Sequence, residues 1–285
     1  MSEIDLHTHT TASDGTLSPD ELVQLAASLD LRAVAVTDHD TVGGLSQALR
    51  AGQEAGVEVI PGCELSIDFP TGQMHIVGLF LPDPPLELQA TLDDLQYRRN
   101  TRNDRILAKL EEVGVKVELQ EIQELAGEAS IGRPHIARVL VQKGVVEDID
   151  QAFRNYIGPG GAAYVPKDKL GPERAIQVLK REGATVILAH PCTLEVGTQE
   201  LRDLLSRLKE QGLDGMEAYY SDHTPDQTET YLQLCREYDL LVSGGSDFHG
   251  SVKKDIQLGV GRGNLDLPYS LVRRMRQARG EEPIF

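Results

Sequence analysis

The sequence predicts an α/β protein whose strands and helices alternate around a barrel-like sheet, interrupted by a small helical insertion. Three observations point there. Strand–helix–strand order runs from EIDLHTH to VEVIPGCELSI; the same order resumes after GPGGAAYVP and continues to SDFHG; and the residues suited to chemistry fall where strands end and loops begin. Barrel enzymes build their sites at that rim, from several different strands, which favours a barrel over an open doubly wound sheet.

The elements follow in order. The apolar stretch around EIDLHTH reads as a first strand, and Ser18, Pro19 and Glu21 then form a capping box with proline at the first helical position. LRAVAVTDHD is the next strand, a helix runs from about Gly43 to Ala55, VEVIPGCELSI is a third strand, and MHIVGLF a fourth that meets the proline-rich LPDPP. From about Leu86 to Lys169 the pattern changes to successive helical stretches, LQATLDDLQYRRNTRNDRILAKLEEV, LQEIQELAGE, RPHIARVLVQKG and DIDQAFRNYI. Alternation then returns: helix GPERAIQVLKREG, strand ATVILAHP, helix TQELRDLLSRLKEQG, strand LDGMEAYY, helix TPDQTETYLQLCREY, strand DLLVSGGSDFHG and a last helix near PYSLVRRMRQARG. Residues 1–85 and 170–285 are thus assigned to the barrel, and 86–169 to the insertion.

Composition narrows the function classes. With 285 residues and 40% hydrophobic content the chain can bury a full core. Its first residues carry no apolar leader and no run approaches a membrane span, so a cytoplasmic protein without membrane association is expected. Cys63, Cys192 and Cys235 are odd in number and widely spaced, which indicates neither a disulfide framework nor a thiolate zinc site. Twenty-eight basic against 45 acidic side chains leave a net charge of −17, which disfavours duplex nucleic acid as a partner; a small phosphorylated substrate stays compatible.

The chemistry concentrates in short polar motifs. In an extended segment residues i and i+2 share a face, so His7 and His9 of DLHTHTTASDG can present two imidazoles to one ion. Alone the pair is weak. VTDHD adds Asp38 and His39, PGCELS adds Glu64, MHIVG adds His75, LAHP adds His190, and SDFHG adds Asp247 and His249, again spaced i, i+2. Six of the eight histidines therefore fall at strands or strand ends among carboxylates, a nitrogen and oxygen donor set suited to Zn²⁺, Mn²⁺ or Fe²⁺.

In this order the motifs DLHTHTTASDG, VTDHD, PGCELS, His75, AHP and SDFHG resemble the polymerase and histidinol phosphatase (PHP) family of metal-dependent phosphoesterases, over almost the whole chain. GRPHIARVL, the YYSDHTP run and the helical insertion resemble the subgroup of nucleotide phosphatases and 5′→3′ exonucleases. The resemblance implies a distorted (β/α)7 barrel and two or three divalent ions, Mn²⁺ first, with Zn²⁺, Fe²⁺ or Mg²⁺ as alternatives. It places His7, His9, Glu64 and Asp247 on one ion. Glu64 would bridge to a second held by His75 and His190, and Asp14, His39 and His249 would hold a third. Asp14 stands where many relatives have histidine, which puts the third position in doubt. Asp38 is expected to orient a ligand rather than bind.

The implied activity is hydrolysis of phosphate monoesters of small nucleotides, a nucleoside 3′,5′-bisphosphate or a 5′-mononucleotide such as AMP, by hydroxide activated at the ion pair. The alternatives are a 5′→3′ exonuclease on short RNA or DNA and a non-catalytic metal-binding module. Asp247 and His223 are assigned to the catalytic step, with His223 as proton donor to the leaving oxygen. Arg133, His135 and His223 are assigned to substrate, Arg133 beside free backbone N–H groups at a helix start. Lys167 and Lys169 offer further positive charge, and the insertion is read as a cap over the rim.

Overall fold

A computed structural model describes residues 2–126, 132–166 and 168–282. It divides into two compact units, the first formed by residues 1–92 and 170–285, the second by 93–169.

The first unit is built on a seven-stranded sheet in sequential order. Its strands are β1 (Ile4–Asp5), β2 (Ala33–Val36), β3 (Glu58–Ile67), β4 (Met74–Leu79), β5 (Thr185–Leu188), β6 (Gly215–Tyr220) and β7 (Leu241–Gly245). Neighbours are parallel except around β4, which pairs antiparallel with both β3 and β5. Reversal matters for position: the beginning of β4, with His75, pairs with Ser66 near the end of β3. β1 is shorter than the sequence suggests. Its ladder with β2 ends at Asp5, after which the chain turns to the last strand: Leu6 N–H donates to Gly244 O (3.2 Å), Asp247 N–H to His7 O (2.8 Å) and His9 N–H to Phe248 O (2.9 Å). These bonds draw β1 and β7 together into a nearly closed barrel.

The helices follow the sequence. In α1 (Pro19–Ser28) the Ser18 hydroxyl accepts from Glu21 N–H, and Glu21 Oε2 accepts from Ser18 N–H. α2 (Leu45–Ala55) ends on Gly56 at φ 71°, a left-handed cap that glycine adopts without strain. α3 (Leu86–Glu112) opens in the first unit, where Leu88 N–H donates to Glu182 Oε1 and Arg181 pairs with Glu87. These ties put the boundary between units inside α3, several residues later than the change of sequence pattern.

Alternate residues of the strands, Ala33 with Ala35 and Ile4 with Leu6, share a core with Leu271, Val272 and Met275 of the last helix. Apolar packing thus fills the end where the strands begin, and the opposite end is left for polar groups.

The second unit holds α4 (Leu119–Ala126), α5 (Arg133–Gln142) and α6 (Ile149–Ala152), the last continuing as a π-helical turn through Ile157. Together with α3 it buries its own core, including Ile106, Leu110, Ile136, Leu140 and Ile157. The first unit continues with α7 (Pro172–Arg181), α8 (Thr198–Gln211), α9 (Pro225–Glu237) and α10 (Ser270–Ala278). Among the described residues no helix is long and apolar enough to cross a membrane.

Candidate metal centre

Most candidate ligands sit at or beside strand ends, with Glu64 inside β3 and Asp14 in the loop before α1. His7 and His9 follow β1; Asp38 and His39 follow β2; Glu64 lies in β3 just where His39 bridges to it; His75 begins β4; His190 follows β5; Asp247 and His249 follow β7. Two of them sit in the left-handed region, His190 at φ 23° and Asp247 at φ 57°. Strain of this kind in non-glycine residues persists where surrounding contacts fix it, as at functional sites.

Glu64 is the hub. Its Oε2 lies 3.1 Å from His7 Nε2, His9 Nε2 and His39 Nδ1, and its Oε1 lies 2.9 Å from His75 Nδ1 and His190 Nε2. Asp247 Oδ1 is 3.2 Å from His9 Nε2 and 3.4 Å from His249 Nδ1, and Asp14 Oδ1 is 3.3 Å from His249 Nε2. Among the described residues donor atoms fall into four overlapping groups: His7, His9 and Asp247; His7, Glu64 and His190; His39, Glu64 and His75; and His9, Asp14, His39 and His249. Asp14 thus lies with His9, His39 and His249, while His75 Nδ1 and His190 Nε2, 3.3 Å apart, both face Glu64 Oε1.

The donors fit divalent cations. His7 Nε2, both ring nitrogens of His9, His39 Nδ1 and Glu64 Oε2 are buried without a hydrogen-bond partner, although the imidazole nitrogens stand at contact distance from the carboxylate. Buried polar atoms are rarely left so, and cations held among them would satisfy them.

Electrostatics agree. Burial pulls the His9 imidazolium down, but Asp247 and Glu64 outweigh it and push it up to about 9. Burial likewise opposes a charged His7, yet Glu64 and Glu217 hold it well above the usual range. Burial would raise Glu64, while His7 and His39 drive it well below. Burial takes His39 down to about 4. Burial also works against ionised Asp247 and Asp14, but their imidazole neighbours keep both carboxyls below the ordinary range. Carboxylates this concentrated need positive charge, and without a metal, protons supply it.

Supporting residues hold the donors. Asp38 accepts from Thr10 N–H and Ser13 Oγ through Oδ1 and from Thr10 Oγ1 through Oδ2, pinning the loop that carries Asp14. Buried Asp5 accepts the N–H groups of His7, Ser246 and Gly259. Three residues absent from the sequence reading also belong here. Glu217 lies beside His7 Nδ1, while Tyr220 Oη and Lys253 Nζ both donate to Asp247 Oδ2. A carboxylate in the apolar strand GMEAYY was a usable signal for Glu217; Lys253, in a run of surface-like residues, gave none.

His223 is not at the surface. It is 5% exposed, packs on Tyr220 and Tyr231, and directs Nδ1 to Ala218 O at 3.0 Å. A carbonyl accepts only, so Nδ1 carries the proton and Nε2, buried without a partner, is the free nitrogen. Arg133 and His135 open α5 in the second unit. There the Arg133 guanidinium reaches Ile157 O (3.3 Å) and lies over Phe153, and His135 Nδ1 accepts Gly132 N–H. Lys167 lies outside the described residues.

Imidazoles and carboxylates gathered at one rim of a barrel-like sheet define a metal-dependent hydrolase. Residues 5–244 match the PHP domain. The chain is 37% identical to a 5′-3′ exoribonuclease of Haemophilus influenzae over 94% of its own length and 96% of that protein. It is 32% identical to a 3′,5′-nucleoside bisphosphate phosphatase of Chromobacterium violaceum over 87% of its length and 88% of the relative's. Among solved structures it resembles a protein of Bifidobacterium adolescentis described as a metal-dependent phosphoesterase, with a TM-score of 0.69, 29% identity and coverage of 99% of this chain and 97% of the other. The chain belongs to the PHP domain family and is a metal-dependent phosphoesterase.

Proposed function

We propose that the chain hydrolyses phosphate monoesters of small nucleotides, a nucleoside 3′,5′-bisphosphate or a 5′-mononucleotide such as AMP. The observation that carries this reading is the Glu64 carboxylate met by five imidazole nitrogens within 3.1 Å, a cradle for a pair of cations. His7, His9, Glu64 and Asp247 would hold one ion, Glu64, His75 and His190 a second, and Asp14, His39 and His249 a third, with Mn²⁺ the first candidate. When bound, such ions acidify water and neutralise charge on phosphoryl oxygens.

The chain's own residues do the rest. Arg133, whose planar guanidinium suits a phosphate, and His135 are assigned to substrate binding. His223 protonates the leaving oxygen through Nε2. Burial lowers its pKa, so it must first take up a proton; the negative charge of a bound phosphate favours that uptake. Asp247 holds its outer oxygen against Tyr220 and Lys253, which keeps the inner one aimed at His9.

A second reading, removal of nucleotides from the 5′ end of short RNA, is favoured by the 37% identity to the Haemophilus influenzae exoribonuclease. Attack at phosphorus is common to both. The net charge of −17 weighs against long duplex substrates in either case. Metal analysis coupled to product analysis separates the readings, using AMP, a nucleoside 3′,5′-bisphosphate, histidinol phosphate and 5′-phosphorylated oligoribonucleotides, with Mn²⁺, Zn²⁺ or Mg²⁺. Free phosphate from the mononucleotides is expected; mononucleotides released from the oligomers would favour the exonuclease; no product from any of them would sink both.

A further inference from the structure

Glu217 belongs to a strand that carries a bulge. Glu217 pairs with Ser243 and Tyr219 with Gly244, so Ala218 is an extra residue, and side chains three apart, Glu217 and Tyr220, reach the same polar cluster. Glu217 is 2% exposed, and both its oxygens serve as acceptors. Oε1 lies 3.1 Å from His7 Nδ1, and Oε2 accepts the backbone N–H of His190 at 2.7 Å.

These two bonds act on different histidines in different ways. A carboxylate facing Nδ1 puts the ring proton of His7 on that atom, leaving the lone pair on Nε2, the nitrogen 3.1 Å from Glu64 Oε2. At His190 the bond holds the peptide of a residue at φ 23°, while Thr193 Oγ1 meets the ring Nδ1 at 2.9 Å and Nε2 turns to Glu64 Oε1. One carboxylate therefore sets the tautomer of an imidazole after β1 and the backbone of an imidazole after β5.

We propose that Glu217 is a positioning residue that ties the two cation positions sharing Glu64 together, so that His7 and His190 are competent as ligands jointly or not at all. The proposal rests on these two histidines being cation ligands, as in the function proposed above. Glutamine is nearly the same shape but has one acceptor oxygen. In Glu217→Gln either the His190 N–H meets an amide NH₂, or His7 Nδ1 must accept from that NH₂, which moves the ring proton onto Nε2.

The test uses the full chain stripped with a chelator and reloaded with Mn²⁺ alone, comparing wild type, His7→Ala and Glu217→Gln by elemental analysis, titration calorimetry and melting in chelator. Glu217→Gln is expected to remain folded in chelator, with a lower Tm than wild type because one buried group loses its acceptor, and to bind Mn²⁺ about 10–100-fold more weakly, both shared positions losing their ion together. Binding within twofold of wild type, or loss at a single position, would overturn the proposal. If His7→Ala binds Mn²⁺ as wild type does, the ligand assignment itself is wrong, a separate failure. Should Glu217→Gln not fold, the ¹⁵N shifts of His7 in the wild-type protein reloaded with Zn²⁺ decide: a proton kept on Nδ1 is expected, and an unprotonated Nδ1 refutes it.

Discussion

Lys253 Nζ stands 2.5 Å from Asp247 Oδ2, an oxygen that also accepts the Tyr220 hydroxyl at 3.0 Å, while Asp247 Oδ1 turns inward to His9 at 3.2 Å. The two oxygens of one carboxylate thus have separate duties. Lys253 is partly exposed and its ammonium is a ready partner for a phosphate arriving at the rim. Lys253→Met is expected to raise KM for a phosphate monoester about tenfold, with metal content unchanged. Elemental analysis alongside steady-state kinetics checks this, and loss of metal would show instead that Lys253 holds the site together.

Removing the hub has a larger effect. Glu64→Ala leaves the buried nitrogens of His7, His9 and His39 facing an empty volume, and should abolish metal binding and lower kcat/KM by about 10³-fold or more. His9→Ala should behave alike. Full activity in His9→Ala would mean that the reaction does not use these donors.

Metal affinity should climb with pH. His9 is held at about 9 in the metal-free protein against an ordinary 6.5, so at neutral pH its proton must leave before it can ligate. Mn²⁺ affinity should rise between pH 6.5 and 9 by up to about tenfold per unit for each proton displaced, and calorimetry in buffers of different ionisation enthalpy should register proton release. Stability of the metal-free protein should run the other way. A raised imidazole stabilises fully below 6.5 and loses that contribution as pH passes through 9, so Tm in chelator should fall over this window. A flat profile in both measurements would contradict the charge balance described for the cluster.

Gly245 lies against His7. A Cβ on it would come 2.4 Å from both the Cβ and the backbone nitrogen of His7, so Gly245→Ala should cost about 1–3 kcal/mol and weaken metal binding. Gly171→Ser, where nothing lies within 4 Å, serves as the comparison and should leave both unchanged. Denaturant unfolding with and without Mn²⁺ measures the difference.

Much of the site was legible because its motifs are local. HxH, TDHD and SDFHG announce themselves by spacing, and alternating strand and helix patterns place them at strand ends. What stayed hidden depends on geometry that periodicity does not encode. The bulge at Ala218 decides that Glu217 and Tyr220 share a face, whereas regular alternation pairs Glu217 with Tyr219. That Tyr220 and Tyr231 cover His223, which precedes a helix in a polar run, is likewise set by tertiary packing. The unit boundary falls within α3 because Glu87 and Leu88 are tied to α7 by side chains distant in sequence.

The junction of β1 with β7 has a consequence for the chain as a polymer. Asp5 and Ser246, 241 positions apart, are joined by a hydrogen bond there, and His7, His9, Asp247 and His249 flank the same junction. An ion shared across it is a removable cross-link that closes a loop of nearly the whole sequence, where the configurational entropy of an open chain is greatest. A metal held there would tie His7 and His9 to Asp247, fastening the first strand to the last as well as equipping the site for chemistry.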